Sequence, residues 1–169
     1  KRCSFMLDSK VFIKLLSDKG YDYNLQEHEA LFTIDDSNKL RGQIKGSHSK
    51  NLFLKNKKNK FFLISCEEFT DINLKKISKS LDLGNVSFAK EEYLINLLGI
   101  KPGSVTPFAL LNDTENKIDF YLEEKLYNSE FVNFHPLTNT ATITMKCNKF
   151  IEFMIENYKK IHIFSSREE

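Results

Sequence analysis

The sequence predicts a single α/β domain, in which one mixed β-sheet is surrounded by helices. Its 169 residues fit one domain, and a chain of this length can bury roughly two thirds of its unfolded surface. Hydrophobic residues make up 41% of the chain, which is typical of a globular fold. Short apolar runs at strand spacing and at helix spacing alternate irregularly, without an internal repeat or a linker.

The first half of the chain predicts a helix, a strand and a β-hairpin. Ser9 and Gly20 fit the cap and the stop of a short helix, and the alternating residues 21–27 predict a strand. The segment 46–51, GSHSKN, predicts a loop of small polar residues that ends at an apolar strand. Within residues 52–64, two apolar runs flank the polar turn KNKKNK, which indicates a hairpin with a basic tip.

The second half predicts further helices and strands around two tight loops. Apolar residues at helical spacing predict helices at 73–82, 91–98 and 148–159, the last with Phe150, Ile151, Met154 and Tyr158 facing inward. Strands are predicted at 86–88, 117–126, 131–134, 141–145 and 161–164, the second of them running into a short polar segment. Glycine and proline in KPGSVTP, residues 101–107, indicate a tight loop before Phe108.

Composition argues against several classes of function. The formal net charge is only +2, far from that of a protein that holds nucleic acid by charge alone. The three cysteines are widely spaced and lack zinc-ligand spacing, so neither a disulfide framework nor a metal site is expected. The chain has no apolar stretch of about 18 residues and no signal peptide. A cytoplasmic protein without a cofactor is therefore expected.

Three predicted loops carry the residues that are candidates for binding or catalysis. Functional sites commonly form in loops at strand ends. The three loops are GSHSK with Asn51, then GSVTP at 103–107 with Asn112 and Asp113 close behind, and HPLTN at 135–139. A lysine such as Lys50 can bind a phosphate and stabilise developing negative charge, and Asn51 can donate and accept hydrogen bonds. Read alone, Lys50 is better interpreted as a solvated lysine, because surface lysines mostly lie in solvent.

The other two loops also have both a functional and a structural interpretation. Pro136 restricts His135 to an extended backbone, which suits substrate positioning but also suits a strand end. In the loop 103–107, Gly103 and Pro107 shape the backbone, while Ser104 and Thr106 offer hydroxyls. Asn112 is expected either to hold this loop or to form a turn, and His28 is expected to line the neighbouring wall. No nucleophile with an adjacent base is evident.

Four ordered segments resemble the YbaK/ProX family of aminoacyl-tRNA deacylases, and most closely its prolyl-tRNA editing proteins. They are EHEALFTI at 27–34, KNLFLKNKK at 50–58, GSVTPFALLND at 103–113 and FHPLTNTATI at 134–143. The resemblance implies the fold of that family, with a curved mixed sheet. It also implies hydrolysis of alanine wrongly esterified to proline tRNA, with the ribose hydroxyl of the tRNA assisting.

The resemblance also implies roles for individual residues and for partners. Lys50 and Asn51 match the family's active-site pair, and His135 matches the histidine that holds the aminoacyl group. Gly103, Ser104, Thr106, Pro107, His28 and Asn112 are the remaining predicted substrate-binding residues. The partners would be tRNA and, in cis or in trans, prolyl-tRNA synthetase, with no membrane and no DNA. The chain is thus expected to be one editing domain over 1–169, either free-standing or cut from a synthetase.

Two other functions remain open from the sequence. One is a deacylase of the same fold that removes cysteine, serine or threonine from another tRNA, because pocket volume depends on side chains that the sequence does not place. The other is a catalytically silent tRNA-binding appendage of a synthetase. The basic tip at residues 55–60 is either a solvated turn or a surface that steers the tRNA acceptor stem.

Overall fold

The structure is a computed structural model that describes residues 6–30 and 44–167. Residues 31–34 of the segment EHEALFTI therefore lie outside the described residues. The strands are β1 Asn24–Glu27, β2 Ser47–Asn56, β3 Phe61–Glu67, β4 Val86–Phe88, β5 Ile118–Glu123, β6 Phe131–Phe134, β7 Ala141–Lys146 and β8 Ile161–Phe164. The helices are α1 Ser9–Asp18, α2 Leu74–Ser80, α3 Glu91–Tyr93 with a π-helical extension Leu94–Leu98, a 3₁₀ helix Pro107–Asn112, α4 Glu124–Tyr127 and α5 Cys147–Glu156.

All eight strands in the described part of the chain belong to one mixed sheet, as the sequence predicts. Their order is β1-β7-β6-β2-β3-β5-β8, and the short β4 pairs with the end of β2. Pairs β2–β6, β3–β5 and β5–β8 are parallel, whereas the other pairs are antiparallel. The long central strand β2 therefore joins both halves of the sheet, because its start pairs with β6 while most of its length pairs with β3.

Two hydrophobic cores lie on opposite faces of this sheet. The larger core packs α1, the 3₁₀ helix and α5 against one face, around the rings of Phe12, Phe108 and Phe153. The smaller core lies under α2 and includes Leu54, Phe62, Ile64, Ile77, Leu83 and Phe164. Adjacent strand residues point to opposite faces, so Phe53 enters the larger core and Leu54 the smaller one.

Three predictions about local structure are wrong. The side chain that caps α1 is that of Asp8, which accepts from the Val11 N–H, and not that of Ser9. Helix α5 ends at Glu156, and Tyr158 lies beyond it with a positive φ of 61° and a side chain that is 87% exposed. Residues 47–51 are the start of β2 and not a loop, because they pair with β6 and β3.

We expect Gly46→Ala to destabilise the protein more than Gly20→Ala. Both glycines have a positive φ, 96° and 77°, which costs a residue with a Cβ about 1 kcal/mol. A Cβ at Gly46 would lie 2.7 Å from the Cβ of Phe131 and 3.0 Å from its carbonyl oxygen, whereas nothing lies within 4 Å at Gly20. The two melting temperatures check this, and equal shifts would contradict the close approach of β2 to β6.

Candidate functional site

Lys50 and Asn51 are consecutive residues of β2, so their side chains leave the strand on opposite faces. Asn51 shares a face with Phe53, whereas Lys50 shares one with Leu52 and Leu54. The two side chains do not face one cleft, because both residues lie in an extended strand that pairs with β3. Lys50 and Asn51 therefore lie on the two sides of one strand.

Lys50 lies directly across from Cys66 in the β2–β3 ladder. Lys50 is half-buried, and its backbone carbonyl accepts a hydrogen bond of 3.7 Å from the Cys66 thiol. Cys66 is buried, and desolvation raises the pKa of its thiol to about 12 although the nearby Lys50 charge lowers it. Such a thiol is almost fully protonated at neutral pH and is a poor nucleophile.

The side chain of Asn51 is already held by two serines. The Ser65 hydroxyl donates to Asn51 Oδ1 over 2.5 Å, and Asn51 Nδ2 donates to Ser49 Oγ over 3.2 Å. One N–H of the amide is not used in these two bonds, because an NH₂ group has two donors. Asn51 is therefore oriented before any substrate arrives, with one donor left for a ligand.

Asn133 is a structural residue of this site that the sequence analysis missed. It is buried in β6, and its Nδ2 donates to the backbone carbonyls of Lys45 (3.0 Å) and Ser47 (3.2 Å). The Ser49 hydroxyl in turn donates to the Asn133 carbonyl over 2.9 Å. These bonds fix the start of β2 against β6 next to Lys50. The only signal in the sequence is an amide within the apolar strand FVNF.

His135 lies at the end of β6 as a neutral hydrogen-bond acceptor. Its Nδ1 is 2.9 Å from the Ala141 carbonyl, which can only accept, so Nδ1 carries the proton and Nε2 carries the lone pair. Burial lowers the pKa of His135, and the charges of His28 and His48 lower it further, although the bond to Ala141 raises it. At neutral pH the ring therefore presents Nε2 as an acceptor.

His28 forms part of the wall beside His135, with the ring centroids 6.2 Å apart. Its Nδ1 donates to the Glu29 carbonyl over 2.7 Å, and its Nε2 accepts from the Thr142 hydroxyl over 2.9 Å. Both ring nitrogens are thus used within the protein. His28 can shape the surface that faces a substrate, but in this arrangement it has no nitrogen left to bind one.

The loop 103–107 approaches the loop that follows His135. Gly103 has φ +86°, and a Cβ built on it would lie 3.5 Å from Asn139 Nδ2, so the two loops are in contact. Thr106 is fully buried, and its hydroxyl accepts from the Phe108 N–H at the start of the 3₁₀ helix, which Pro107 begins. Ser104 is buried as well. The hydroxyls of Ser104 and Thr106 are therefore not presented to solvent, contrary to expectation.

Asn112 lies apart from these residues and has a structural role. Its Oδ1 accepts from the Leu7 N–H over 2.7 Å, and its Nδ2 donates to the carbonyls of Leu7 (3.1 Å) and Leu98 (2.9 Å). Both donors and one acceptor site are thus occupied by backbone. Asn112 ties the segment before α1 to the end of the π-helical turn, and we do not include it in the candidate site.

The structure thus brings together a small polar region on one face of strands β1, β7, β6 and β2. By strand alternation this face carries Lys50, His48 and Asn133, and His135 and His28 lie at its end. It offers the ammonium group of Lys50 and the neutral imidazole of His135 as an acceptor. Within the described ranges, no cluster of three His, Cys, Asp or Glu side chains could hold a metal ion. No helix of the described part is long and apolar enough to cross a bilayer.

The chain is similar to known editing proteins. The family described as aminoacyl-tRNA editing domain matches residues 28–153. The prolyl-tRNA synthetase associated domain-containing protein 1 of Xenopus laevis is 37% identical over 133 residues, which cover 76% of this chain and 79% of that protein. The prolyl-tRNA editing protein ProX of Acetoanaerobium sticklandii is 29% identical over 141 residues, covering 82% of this chain and 86% of that one.

A solved structure supports the fold independently. The crystal structure of a candidate trans-editing enzyme for prolyl-tRNA synthetase superposes with a TM-score of 0.67 at 19% identity, covering 94% of this chain and 98% of that one. At this identity the superposition shows a common fold and no more. The similarity to the ProX protein and the family match confirm the resemblance to prolyl-tRNA editing proteins. The chain belongs to the aminoacyl-tRNA editing domain family.

Proposed function

We propose that this protein hydrolyses the ester of alanine wrongly attached to proline tRNA. Its family supports an aminoacyl-tRNA deacylase, and its relatives associated with prolyl-tRNA synthetase support proline tRNA. The observation that carries the proposal is the placement of Lys50 and a neutral His135 on the same polar face of the sheet, where the nearby Cys66 thiol is not an activated nucleophile. Such a site binds and orients an ester, and it suits hydrolysis in which the substrate assists.

The need for such an activity follows from the limits of binding selectivity. A pocket built for proline excludes a smaller amino acid by only about 1–3 kcal/mol for each missing methylene, so alanine is sometimes attached to proline tRNA. A second site that admits alanine and excludes proline by size removes the error. The wall of His28 and the loop around Gly103 are the elements near His135 that would set this size limit.

The residues have separate tasks in the proposed reaction. The Lys50 ammonium binds the phosphate of the terminal nucleotide and stabilises the negative charge that develops on the ester oxygen. His135 Nε2 accepts a hydrogen bond from the ammonium group of the aminoacyl moiety and holds the carbonyl in place. Asn51, fixed by Ser49 and Ser65, donates its remaining N–H to the adenosine.

The ribose of the tRNA supplies the assistance that the protein lacks. Its free hydroxyl orients the attacking water, which adds to the ester carbonyl carbon while the bond to the ribose oxygen breaks. The proton released by the water passes to that ribose oxygen, so no protein base is needed. Holding water and ester in this geometry can lower the barrier by several kcal/mol. A location in the cytosol and an association with prolyl-tRNA synthetase, in cis or in trans, remain predictions.

A panel of mischarged tRNAs tests the proposed specificity. The wild-type protein is incubated with alanyl-, seryl-, threonyl- and cysteinyl-tRNA, each carried on the proline tRNA, and release of the amino acid is followed. We expect alanine to leave fastest. Preferential release of cysteine, serine or threonine would instead identify a deacylase of the same fold with another substrate. Binding of every tRNA without any release would identify a silent tRNA-binding domain.

We expect His135→Ala to weaken substrate binding more than it slows turnover. The loss of a hydrogen bond to a charged group costs about 1.5–3 kcal/mol, which raises KM for alanyl-tRNA by roughly 10-fold or more. Because burial lowers the pKa of His135, the ring is neutral at neutral pH, and kcat/KM falls only at a more acidic pH than the ordinary pKa of a histidine would give. His135→Gln, which keeps an acceptor, should lose that acidic limb. A KM equal to that of wild type would refute the assigned role.

A further inference from the structure

The turn between β2 and β3 is the most densely basic part of the described chain. Lys57, Lys58 and Lys60 are exposed around Asn59. Lys55 lies two residues before Lys57, with its ammonium 5.1 Å from the centre of the Tyr93 ring. Among the described residues, no carboxylate forms an ion pair with Lys57, Lys58 or Lys60. We call Lys57, Lys58 and Lys60 the lysine turn.

The lysine turn is held in one conformation by a buried amide. Asn56 Oδ1 accepts from the backbone N–H groups of Lys58 and Lys60, both over 3.0 Å, and Asn56 Nδ2 donates to the Leu83 carbonyl over 3.0 Å. Asn59 takes the positive φ that the turn requires, 59°. The ammonium groups are therefore presented from a fixed backbone, although their close spacing makes them repel one another.

The position of the turn argues against a purely protective role. Lysines often guard the exposed edge of a sheet against pairing with another chain. Here β2 and β3 are central strands, with β6 beyond one and β5 beyond the other, and β4 covers the end of β2. Neither β2 nor β3 is thus an edge strand of the described sheet that the lysine turn would need to protect.

The same strand connects the lysine turn to the candidate site. Lys50 and Asn56 are six residues apart in β2, which corresponds to about 20 Å along an extended strand. Phe88, opposite Leu54 on the adjacent β4, is 60% exposed, and exposed aromatic side chains of this kind stack on unpaired bases of RNA. A tRNA whose terminal nucleotide lies at Lys50 and whose acceptor stem runs along β2 would bring its phosphates within range of the turn.

From this placement we propose that the lysine turn binds the phosphate backbone of the tRNA acceptor stem and sets the direction in which the tRNA enters the site. This inference rests on the proposed function for its substrate. Phosphate contacts of this kind position a nucleic acid without reading its sequence. The turn would thus supply affinity that is independent of the amino acid and of the tRNA identity.

The salt dependence of tRNA binding tests this inference. The affinity of deacylated proline tRNA is measured between about 50 and 200 mM salt for wild type and for the triple variant Lys57→Gln, Lys58→Gln, Lys60→Gln. The slope of log K against log salt is negative, and each lost phosphate contact reduces its magnitude by about 0.7–0.9. For the triple variant the magnitude of the slope should therefore decrease by about 2 to 3. Binding at about 0.1 M salt should weaken by roughly 100-fold.

A matched control separates a local contact from overall charge. The variant Lys10→Gln, Lys75→Gln, Lys79→Gln removes the same charge from exposed positions on α1 and α2, and it should keep the wild-type slope. Equal slopes for wild type and the lysine-turn variant would overturn the inference, as would equal losses in the two variants. Failure of the proposed function is seen separately, as wild-type protein that binds tRNA but releases no alanine.

Discussion

Lys50→Ala is expected to slow the release of alanine from alanyl-tRNA by about 100- to 1,000-fold. This is the usual cost of removing one group that stabilises charge developing in a transition state. The loss should appear mainly in kcat, because the ammonium is most strongly engaged when the ester oxygen becomes negative. Single-turnover measurements with saturating protein isolate this step. Lys50→Arg should recover only part of the rate, since a planar guanidinium places its charge differently.

The control for Lys50→Ala is a lysine outside the site. Lys10 is exposed on α1, and Lys10→Ala should keep the wild-type rate. Both variants should also melt close to the wild-type temperature, because a half-buried or exposed lysine contributes little to the core. If Lys50→Ala released alanine as fast as wild type, the charge that stabilises the ester would have to come from elsewhere, and the proposed mechanism would be wrong.

Phe108→Ala is expected to cost about 3–5 kcal/mol in the free energy of unfolding, the range for removing a buried phenylalanine from a core. Phe108 is fully buried, and its ring lies 4.5 Å from that of Phe12, 5.7 Å from those of Phe134 and Phe150, and 6.1 Å from that of Phe153, measured between centroids. The ring thus joins α1, α5 and β6. Denaturant unfolding with an unchanged m-value measures the loss.

An exposed phenylalanine provides the comparison for this loss. Phe69 is 70% exposed, so Phe69→Ala should change the free energy of unfolding by no more than about 0.5 kcal/mol. The activity of Phe108→Ala per folded molecule also shows whether the loop 103–107 depends on this ring. Thr106 and Pro107 begin the 3₁₀ helix that contains Phe108. A loss below about 1 kcal/mol for Phe108→Ala would show that the larger core does not depend on this ring.

Much of the fold was predictable because local patterns and tertiary packing agree. The hairpin around residues 55–60 follows from two apolar runs and a polar turn, and its strands are central in the sheet. Helix α2 has the predicted spacing, with Asn73 accepting from the Lys76 N–H as its cap. Tyr158 was misplaced because helical periodicity alone does not reveal where a helix ends; the backbone turns at Asn157 and Tyr158 instead.

The candidate site was less predictable, since it depends on contacts between distant segments. Polar residues such as those at 47–51 resemble a loop, yet β6 and β3 provide partners that extend them into a strand and separate Lys50 from Asn51. Thr106 and Asn112 look like ligand-binding residues in the sequence, but buried backbone groups take their hydrogen bonds. The tautomer of His135 is likewise fixed by the carbonyl of Ala141, six residues away.

The most direct test of the proposed editing function is single-turnover release of alanine and of proline from the same proline tRNA by the wild-type protein. We expect fast loss of alanine while prolyl-tRNA remains intact, because the proposed site around Lys50 and His135 would orient a small aminoacyl ester and exclude a larger one. Release of both amino acids at similar rates would contradict an editing function. Stability of both esters in the presence of bound protein would contradict catalysis by this site.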